Sequence, residues 1–218
     1  ILRLEVCDQP QALQLFRDEA RAAGRIGSAH IVEILDFAEL PDGRLLGITR
    51  NEGPSRRGGD LLVGPDLDRL QVTPLPRKPD SPNLFLWDGV PYLLARRQVA
   101  HGGRYDHVPA WFPGSLAIRV DQAVWSLTRK RSSLYRVDPD AGTLDLVLDL
   151  PSRGDTSFAA VVAEPDGSRL VADYTSPESG GDPMWLRGQL RPTEIHLHRL
   201  RRGSAPGQPA WARACSMA

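Results

Sequence analysis

Hydrophobic and polar residues follow two different periodicities along this chain. Between residues 8 and 27 the apolar positions recur at helical spacing, which predicts one amphipathic helix. Short alternating segments at 2–6 and 31–35 predict a strand on each side of it. From about residue 37 onward the period becomes two, which is the pattern of half-buried strands.

The period-two region is divided into short apolar runs by clusters of proline, glycine and aspartate. Runs of this kind predict strands joined by tight turns. The predicted strands are 44–50, 60–64, 69–73, 83–87, 90–96, 122–127, 133–137, 143–149, 157–163, 168–174 and 194–199. No second amphipathic helix is predicted. The polar segments 98–115 and 175–193 are expected to be long loops, which often carry function on a rigid scaffold.

An Asp-Gly pair flanked by apolar runs occurs at Asp42-Gly43, Asp88-Gly89 and Asp166-Gly167. Asp-Gly is a strong hairpin signal because a type I′ turn needs positive φ at both central residues. Recurrence of one hairpin type is typical of the repeated sheets of a propeller. The predicted fold is therefore mainly β, a partial or open β-propeller-like set of antiparallel sheets with one N-terminal amphipathic helix.

A propeller usually closes with four or more blades, and these turns mark only about three hairpin units. Three explanations stay open: the chain is a fragment, strands within 116–149 form a further blade, or the sheets pack as an open structure. An exposed sheet edge would then allow association with another chain. The predicted domains are a strand-helix-strand element at 1–36, the propeller-like domain at 37–202, and a poorly ordered tail at 203–218.

Composition excludes several classes of protein. The 218 residues carry 27 basic and 27 acidic side chains, so the net charge gives no footprint for nucleic acid or an anionic membrane. All the basic residues except Lys78 and Lys130 are arginines. Cys7 and Cys215 have no spacing typical of a disulfide scaffold or zinc site, and no apolar segment approaches the length of a membrane span. Because the chain begins at Ile1, a leader could lie upstream, and localisation is left open.

The segment Phe16–Asp36, with its continuation Phe37–Arg44, resembles the αC helix and the β4–β5 turn of bacterial serine/threonine protein kinases. The resemblance implies that Glu19 is the αC glutamate. Phosphoryl transfer also needs a phosphate-binding lysine and two aspartates. No lysine precedes Lys78, and the chain has no HRD, DFG or Gly-rich motif. An active kinase is not expected, although a degenerate kinase fragment or a fusion stays an alternative.

Three groups of residues in the remainder of the chain carry a second resemblance. They are Thr49–Gly53, Ser81–Gly89 with Ala95–Arg97, and Gly154–Phe158 with Ala172–Ser176. On these residues, positions 44–200 resemble the sialidase-like and arabinanase-like glycoside hydrolase propellers with BNR-type repeats. The BNR match is incomplete, because Leu70 stands where the repeat has tryptophan. The resemblance implies a glycan, or another small polar ligand, bound at a loop-rich mouth without a cofactor.

Glycosidic cleavage needs a proton-donating acid and a second carboxylate, whereas sialidase-type enzymes use a tyrosine nucleophile and arginines that clamp a substrate carboxylate. The candidate acids, bases and nucleophiles are Asp155, Glu52, Glu178, Tyr174 and Tyr105. Asp155 opens a strand and is the preferred one, although Asp and Thr in such a segment also serve turn backbones. The predicted substrate-binding residues are Arg50, Asn83, Arg97 and Trp111. Arg96 is an alternative to Arg97, because adjacent strand residues face opposite sides.

Histidines and tryptophans give further, weaker indications. His101 and His107 with Asp106, or His196 with His198, could hold a metal, but loop position and cross-strand packing explain them as well, and no metal site is predicted. Trp87, Trp111, Trp125 and Trp185 offer apolar platforms for a sugar, although tryptophan in a sheet protein is more often a core residue. Trp111 and Trp185 lie in the long insertions, which favours ligand contact for these two. Two functions are therefore carried forward: a glycan-binding or glycan-hydrolysing propeller, and a non-catalytic interaction propeller.

Overall fold

A computed structural model of the protein describes residues 33–50, 58–105, 107–109, 111–177, 179 and 181–201. The predicted N-terminal helix and first strand, Glu52, Asp106, Glu178 and the tail at 203–218 lie outside these residues, so the three predicted domains stay a prediction. The strands are β1 (Glu33–Glu39), β2 (Leu45–Arg50), β3 (Gly59–Gly64), β4 (Gln71–Leu75), β5 (Asp80–Trp87), β6 (Val90–Gln98), β7 (Lys130–Asp138), β8 (Thr143–Asp149), β9 (Ser157–Ala163), β10 (Arg169–Thr175) and β11 (Glu194–Leu200). The helices are α1 (Gly114–Ser126) and the single turn α2 (Trp185–Gly188), with a short 3₁₀ turn at Ala100–Gly103.

The strands form three antiparallel sheets, each a simple meander. The first sheet has the order β1-β2-β3-β4, the second β5-β6-β7-β8 and the third β11-β10-β9. The first strands of the sheets lie next to one another, since β5 packs against β1 on one side and β9 on the other. Sequential meanders whose first strands converge have the arrangement of propeller blades. The described residues thus form a mainly β, open, propeller-like set of sheets, as predicted.

The second sheet lies between the other two because its strands are apolar on both faces. Leu93 and Tyr135 pack in one core with Ile48 of the first sheet. Leu94 and Leu134, one position away, pack in a second core with Val171 of the third sheet. Side chains of neighbouring strand residues point to opposite faces, so a continuous apolar run is what a sheet covered on both sides needs.

All three Asp-Gly pairs join consecutive antiparallel strands, which confirms the three hairpins. Only Asp88-Gly89 has positive φ at both residues, 51° and 75°, as a type I′ turn requires. At Asp42-Gly43 and Asp166-Gly167 the glycine alone is left-handed, and its N–H bonds to the carbonyl three residues earlier. A proline precedes each of these two pairs. It lacks the N–H that a two-residue hairpin would use, so the prediction of type I′ turns was wrong there.

The strand predicted at 122–127 is also wrong, because these residues lie in or directly after helix α1. The buried residues Ala117, Asp121 and Trp125 are four apart, which places them on one side of a helix. Pro113 marks its start, and its carbonyl accepts the first helical hydrogen bonds. The alternative of a further blade within 116–149 is excluded as well, since β7 and β8 complete the second sheet. Among the described residues no helix is long and apolar enough to cross a membrane.

Candidate functional site

A buried carboxylate, Asp80, lies at the start of β5 and pairs with arginines from two sheets. Arg50 Nη1 lies 2.9 Å from its Oδ1, and Arg96 donates to Oδ2 from Nε at 3.1 Å and also from Nη2. A β-bulge directs this contact: Ser81 and Pro82 stand opposite the single residue Ala95, and Ser81 has a φ of 48°. Bulges often re-aim side chains next to functional sites.

Asp155 is the second carboxylate of the cluster and is joined to Asp80 through the same arginine. Its Oδ1 accepts hydrogen bonds from Trp185 Nε1 at 2.8 Å, from Arg96 Nη1 at 3.4 Å and from the Tyr174 hydroxyl at 3.4 Å. Its Oδ2 accepts no hydrogen bond from any residue that the structure describes, and the side chain is 17% exposed. One oxygen is therefore fixed by three donors, and no described residue binds the other.

Trp185 reaches Asp155 because the turn α2 packs directly on the backbone beside that aspartate. A Cβ added at Gly188 would lie 2.2 Å from the Asp155 nitrogen and 2.6 Å from the Gly154 carbonyl carbon. Glycine is thus required at 188 for this close approach. The Arg96 guanidinium also lies 5.2 Å from the centre of the Trp185 ring, a cation–π contact.

The charges of the cluster are set by burial and by its cations. Burial by itself raises the pKa of Asp80, but the nearby Arg96 and Lys78 charges outweigh it and lower this pKa to about 2. Asp80 therefore stays ionised at any physiological pH. Burial, together with the Asp155 carboxylate, raises the pKa of Tyr174 to about 12, so this hydroxyl keeps its proton and donates it to Asp155 as a hydrogen bond.

Both lysines of the chain are buried beneath the cluster around the ring of Trp125. The Nζ atom of Lys78 lies 4.8 Å from the centre of this ring, and the Nζ atom of Lys130 lies 3.9 Å from it. Lys130 also donates a hydrogen bond to Thr128 Oγ1 at 2.7 Å. Burial, helped by the Arg96 and Lys78 charges, lowers the pKa of Lys130 to about 6. Both lysines therefore pack between helix α1 and the adjoining sheet and do not lie at the protein surface.

A chain of buried polar side chains continues behind the cluster into the third sheet. Ser132 Oγ lies 2.7 Å from Thr156 Oγ1, which lies 3.5 Å from Asp173 Oδ2. The other oxygen of Asp173 lies 2.9 Å from His198 Nε2. His196 packs edge-to-face on His198, two residues along the same strand β11. Among the described residues no three His, Cys, Asp or Glu side chains gather as metal ligands.

The structure brings together Arg50, Asp155 and Tyr174 from the predicted site. Arg97 points to the opposite face of β6, where its Nε bonds to Asp149 Oδ1 at 2.7 Å. Arg96 occupies the cluster instead, as the alternation of strand residues requires. Tyr105 is buried against Trp125, at a ring distance of 5.9 Å, and its role as a nucleophile stays a prediction.

Two other predicted binding residues make no hydrogen bond, ion pair or ring contact with the cluster among the described residues. Asn83 stands in β5 opposite Leu94, and no contact within the described residues joins its side chain to Asp155 or Asp80. Trp111 is 80% exposed and touches the ring of Phe112. The ring centres of His101 and His107 lie 5.1 Å apart. Binding by Asn83, Arg97 or Trp111, and catalysis by Glu52, stay predictions.

Sequence reasoning missed Asp80 and passed over Lys78 and Lys130. The clearest signal for Asp80 was its place two residues before a proline, at the start of a strand that becomes apolar from Leu84 onward. The signal for the lysines was their rarity among 27 basic residues. A chain that otherwise uses arginine retains lysine here at two buried positions next to an aromatic ring.

No family model matches this chain, and no curated protein matches it. Similar solved structures include a Penicillium chrysogenum α-L-arabinanase complexed with arabinobiose, at 13% identity and a TM-score of 0.44, covering 75% of this chain and 44% of that one. The phage phi92 endosialidase is 15% identical with a TM-score of 0.45, covering 81% and 28%. A thermostable family-43 glycoside hydrolase is 12% identical with a TM-score of 0.47, covering 88% and 56%.

This chain therefore spans between 28% and 56% of the length of these three proteins. Its assignment to the mainly β, propeller-like class rests on its own three meanders. Most of the kinase-like segment lies outside the described residues. The kinase resemblance thus stays a prediction.

Proposed function

We propose that this protein is a propeller-like carbohydrate-binding module whose site is the cluster of Asp155, Tyr174, Arg96, Arg50 and Trp185. The observation that carries the proposal is Oδ2 of Asp155, which no described residue binds, beside an oxygen held by three donors. An ionised carboxylate accepts hydrogen bonds from the hydroxyls of a sugar. Aromatic rings beside it supply apolar area, which is the usual composition of a small-molecule site.

Binding is favoured over hydrolysis by the state of the carboxylates. Hydrolysis needs a protonated acid as well as a second carboxylate. Asp80 is held ionised by two arginines and cannot supply that proton. A tyrosine nucleophile would have to lose its proton, and Tyr174 has a raised pKa. In a hydrolytic version of the proposal the acid is Glu52 or Glu178, which follow Arg50 and Tyr174 closely in the chain.

The proposal is tested with a glycan array and a panel of chromogenic glycosides on wild type, Asp155→Asn and Glu52→Gln. We expect Asp155→Asn to abolish glycan binding, because it removes the charge that accepts the sugar hydroxyls. Asp145→Asn on the exposed face of β8 is the control and should bind as wild type does. Cleavage of a chromogenic glycoside by wild type that is lost in Glu52→Gln would establish hydrolysis. Wild type that binds no glycan would overturn the proposal in favour of a non-catalytic interaction propeller.

A further inference from the structure

Phe158 has an unusual conformation for a large apolar residue. Its φ is 52°, in the left-handed region that residues with a bulky side chain rarely adopt. Its side chain is nevertheless 71% exposed, so no burial compensates for this backbone. On the same strand Ala159 and Val161 pack on the second core, as the alternation predicts. Strained residues that packing does not explain are often found where a ligand binds.

A β-bulge gives Phe158 its direction. Across β9 and β10, Ala160 pairs with Ala172 and Ser157 pairs with Tyr174, so two residues of β9 stand opposite the single residue Asp173. Such a bulge turns a side chain away from the position it would have in a regular strand. Here it places the Phe158 ring on the Tyr174 ring, with centres 6.1 Å apart and planes inclined by 28°.

The stacked pair is joined to the site described above through one residue. Tyr174 supports Phe158 with its ring and touches Asp155 Oδ1 with its hydroxyl at 3.4 Å. Trp185 is bonded to the same carboxylate oxygen from another loop. The exposed Phe158 ring, the Tyr174 ring and the Asp155 carboxylate are thus joined by successive contacts.

We propose that Phe158 and Tyr174 form an aromatic platform on which the apolar face of a sugar ring lies, with hydroxyls of that sugar bonded to Asp155 Oδ2. This inference rests on the proposed function and specifies its ligand: a cyclic sugar that has C–H groups on one face and hydroxyls at the adjoining edge. Aromatic rings bind such a face through apolar contact, and the carboxylate fixes its orientation.

The test uses the array oligosaccharide that binds wild type most tightly, measured by titration calorimetry. Phe158→Ala and Phe158→Gly should each raise the Kd for this oligosaccharide about tenfold, which corresponds to about 1.4 kcal/mol of binding free energy. Phe158→Tyr should bind within about threefold of wild type, because it keeps the ring. Val162→Ala, on an exposed position of the same strand, is the matched control.

A second measurement separates ligand contact from a structural role. Glycine adopts positive φ without strain, so Phe158→Gly should melt at or above the wild-type temperature while it binds less. In wild type the C–H protons of the bound sugar should shift upfield in NMR spectra, and this ring-current shift should vanish in Phe158→Gly. A Phe158→Ala protein with wild-type affinity, or a Phe158→Gly protein that loses stability and affinity together, would overturn the platform.

Failure of the platform and failure of the proposed function give different results. Where the platform alone is wrong, wild type binds glycan, Asp155→Asn does not, and Phe158→Ala still does. Where the proposed function is wrong, wild type itself binds no glycan of the array, and the platform falls with it.

Discussion

The indole nitrogen of Trp185 donates a 2.8 Å hydrogen bond to Oδ1 of Asp155. This bond holds the loop before β11 against the turn before β9. Trp185→Phe keeps most of the apolar ring but removes the donor, so we expect about 1 to 2 kcal/mol less stability and several-fold weaker glycan binding. Urea unfolding and calorimetry measure the two effects.

Trp87→Phe is the matched control for that variant. Its indole nitrogen bonds to the Gly167 carbonyl at 3.0 Å, at the hairpin end of the second and third sheets. It should lose stability to a similar degree but bind glycan as wild type does. Equal loss of binding in both variants would show that general destabilisation, and not the position of Asp155, is responsible.

Gly188 determines how closely the turn α2 approaches Asp155. Gly188→Ala places a methyl group against the backbone of residues 154 and 155, so that turn and its tryptophan must move outward. We expect overpacking to cost about 1 to 3 kcal/mol and the site to lose affinity. Gly114→Ala, where an added Cβ meets no atom within 4 Å, should leave both properties close to wild type.

Asp80 is expected to be the most important single charge for stability. Asp80→Asn removes the negative charge that two arginines share, and loss of one partner of a buried ion pair costs about 3 to 5 kcal/mol. Chemical denaturation of the variant measures this loss. Asp66→Asn removes an exposed partner of Arg69 and should leave the free energy of unfolding close to that of wild type.

The same carboxylate predicts a step in acid stability. The pKa of Asp80 is about 2 in the folded protein and 3.8 in its ordinary state, so the unfolded chain takes up its proton first as pH falls. The stabilisation that ionised Asp80 gives the folded protein is fully present above pH 3.8. It is lost as the pH falls from 3.8 to about 2. It amounts to about 2 kcal/mol. Asp80→Asn should lack this step, and an unchanged acid profile in that variant would contradict the assignment.

Lys130 predicts a second dependence of stability on pH, at neutral and alkaline values. Its pKa is about 6 when folded, below the ordinary value of 10.5, so between these values the unfolded chain binds a proton that the folded protein does not. Stability should therefore rise with pH across this range. Lys130→Met should reduce the slope of the unfolding free energy against pH, whereas Arg119→Met on the surface of helix α1 should keep it. Identical slopes in all three proteins would exclude a buried, uncharged Lys130.

The alternation of apolar and polar residues predicted most strands, because each strand is short and is bounded by turn residues. The hairpin at Asp88-Gly89 could be predicted to the level of turn type, since two left-handed residues favour that dipeptide. Helix α1 could not be predicted from the segment 122–127, because its apolar residues over so short a span also fit a strand. Its buried face becomes visible only over the full span from Pro113 to Trp125.

The candidate site was predictable in part. Arg50, Asp155 and Tyr174, which the structure places in one cluster, could be proposed from the sequence because each lies at or near a strand end. The choice between Arg96 and Arg97 depended on which face of β6 meets the third sheet, and strand alternation alone does not decide that. Asp80 and Phe158 were missed because bulges set their directions, and a bulge is defined by the partner strand and not by the local sequence.

The two lysines described beneath the cluster are 3% and 0% exposed. Amine-directed acylating reagents and lysine-specific proteases should therefore find no accessible lysine while the protein is folded. Modification at Lys78 or Lys130, read by mass spectrometry, would report opening of the structure around Trp125 without any engineered probe.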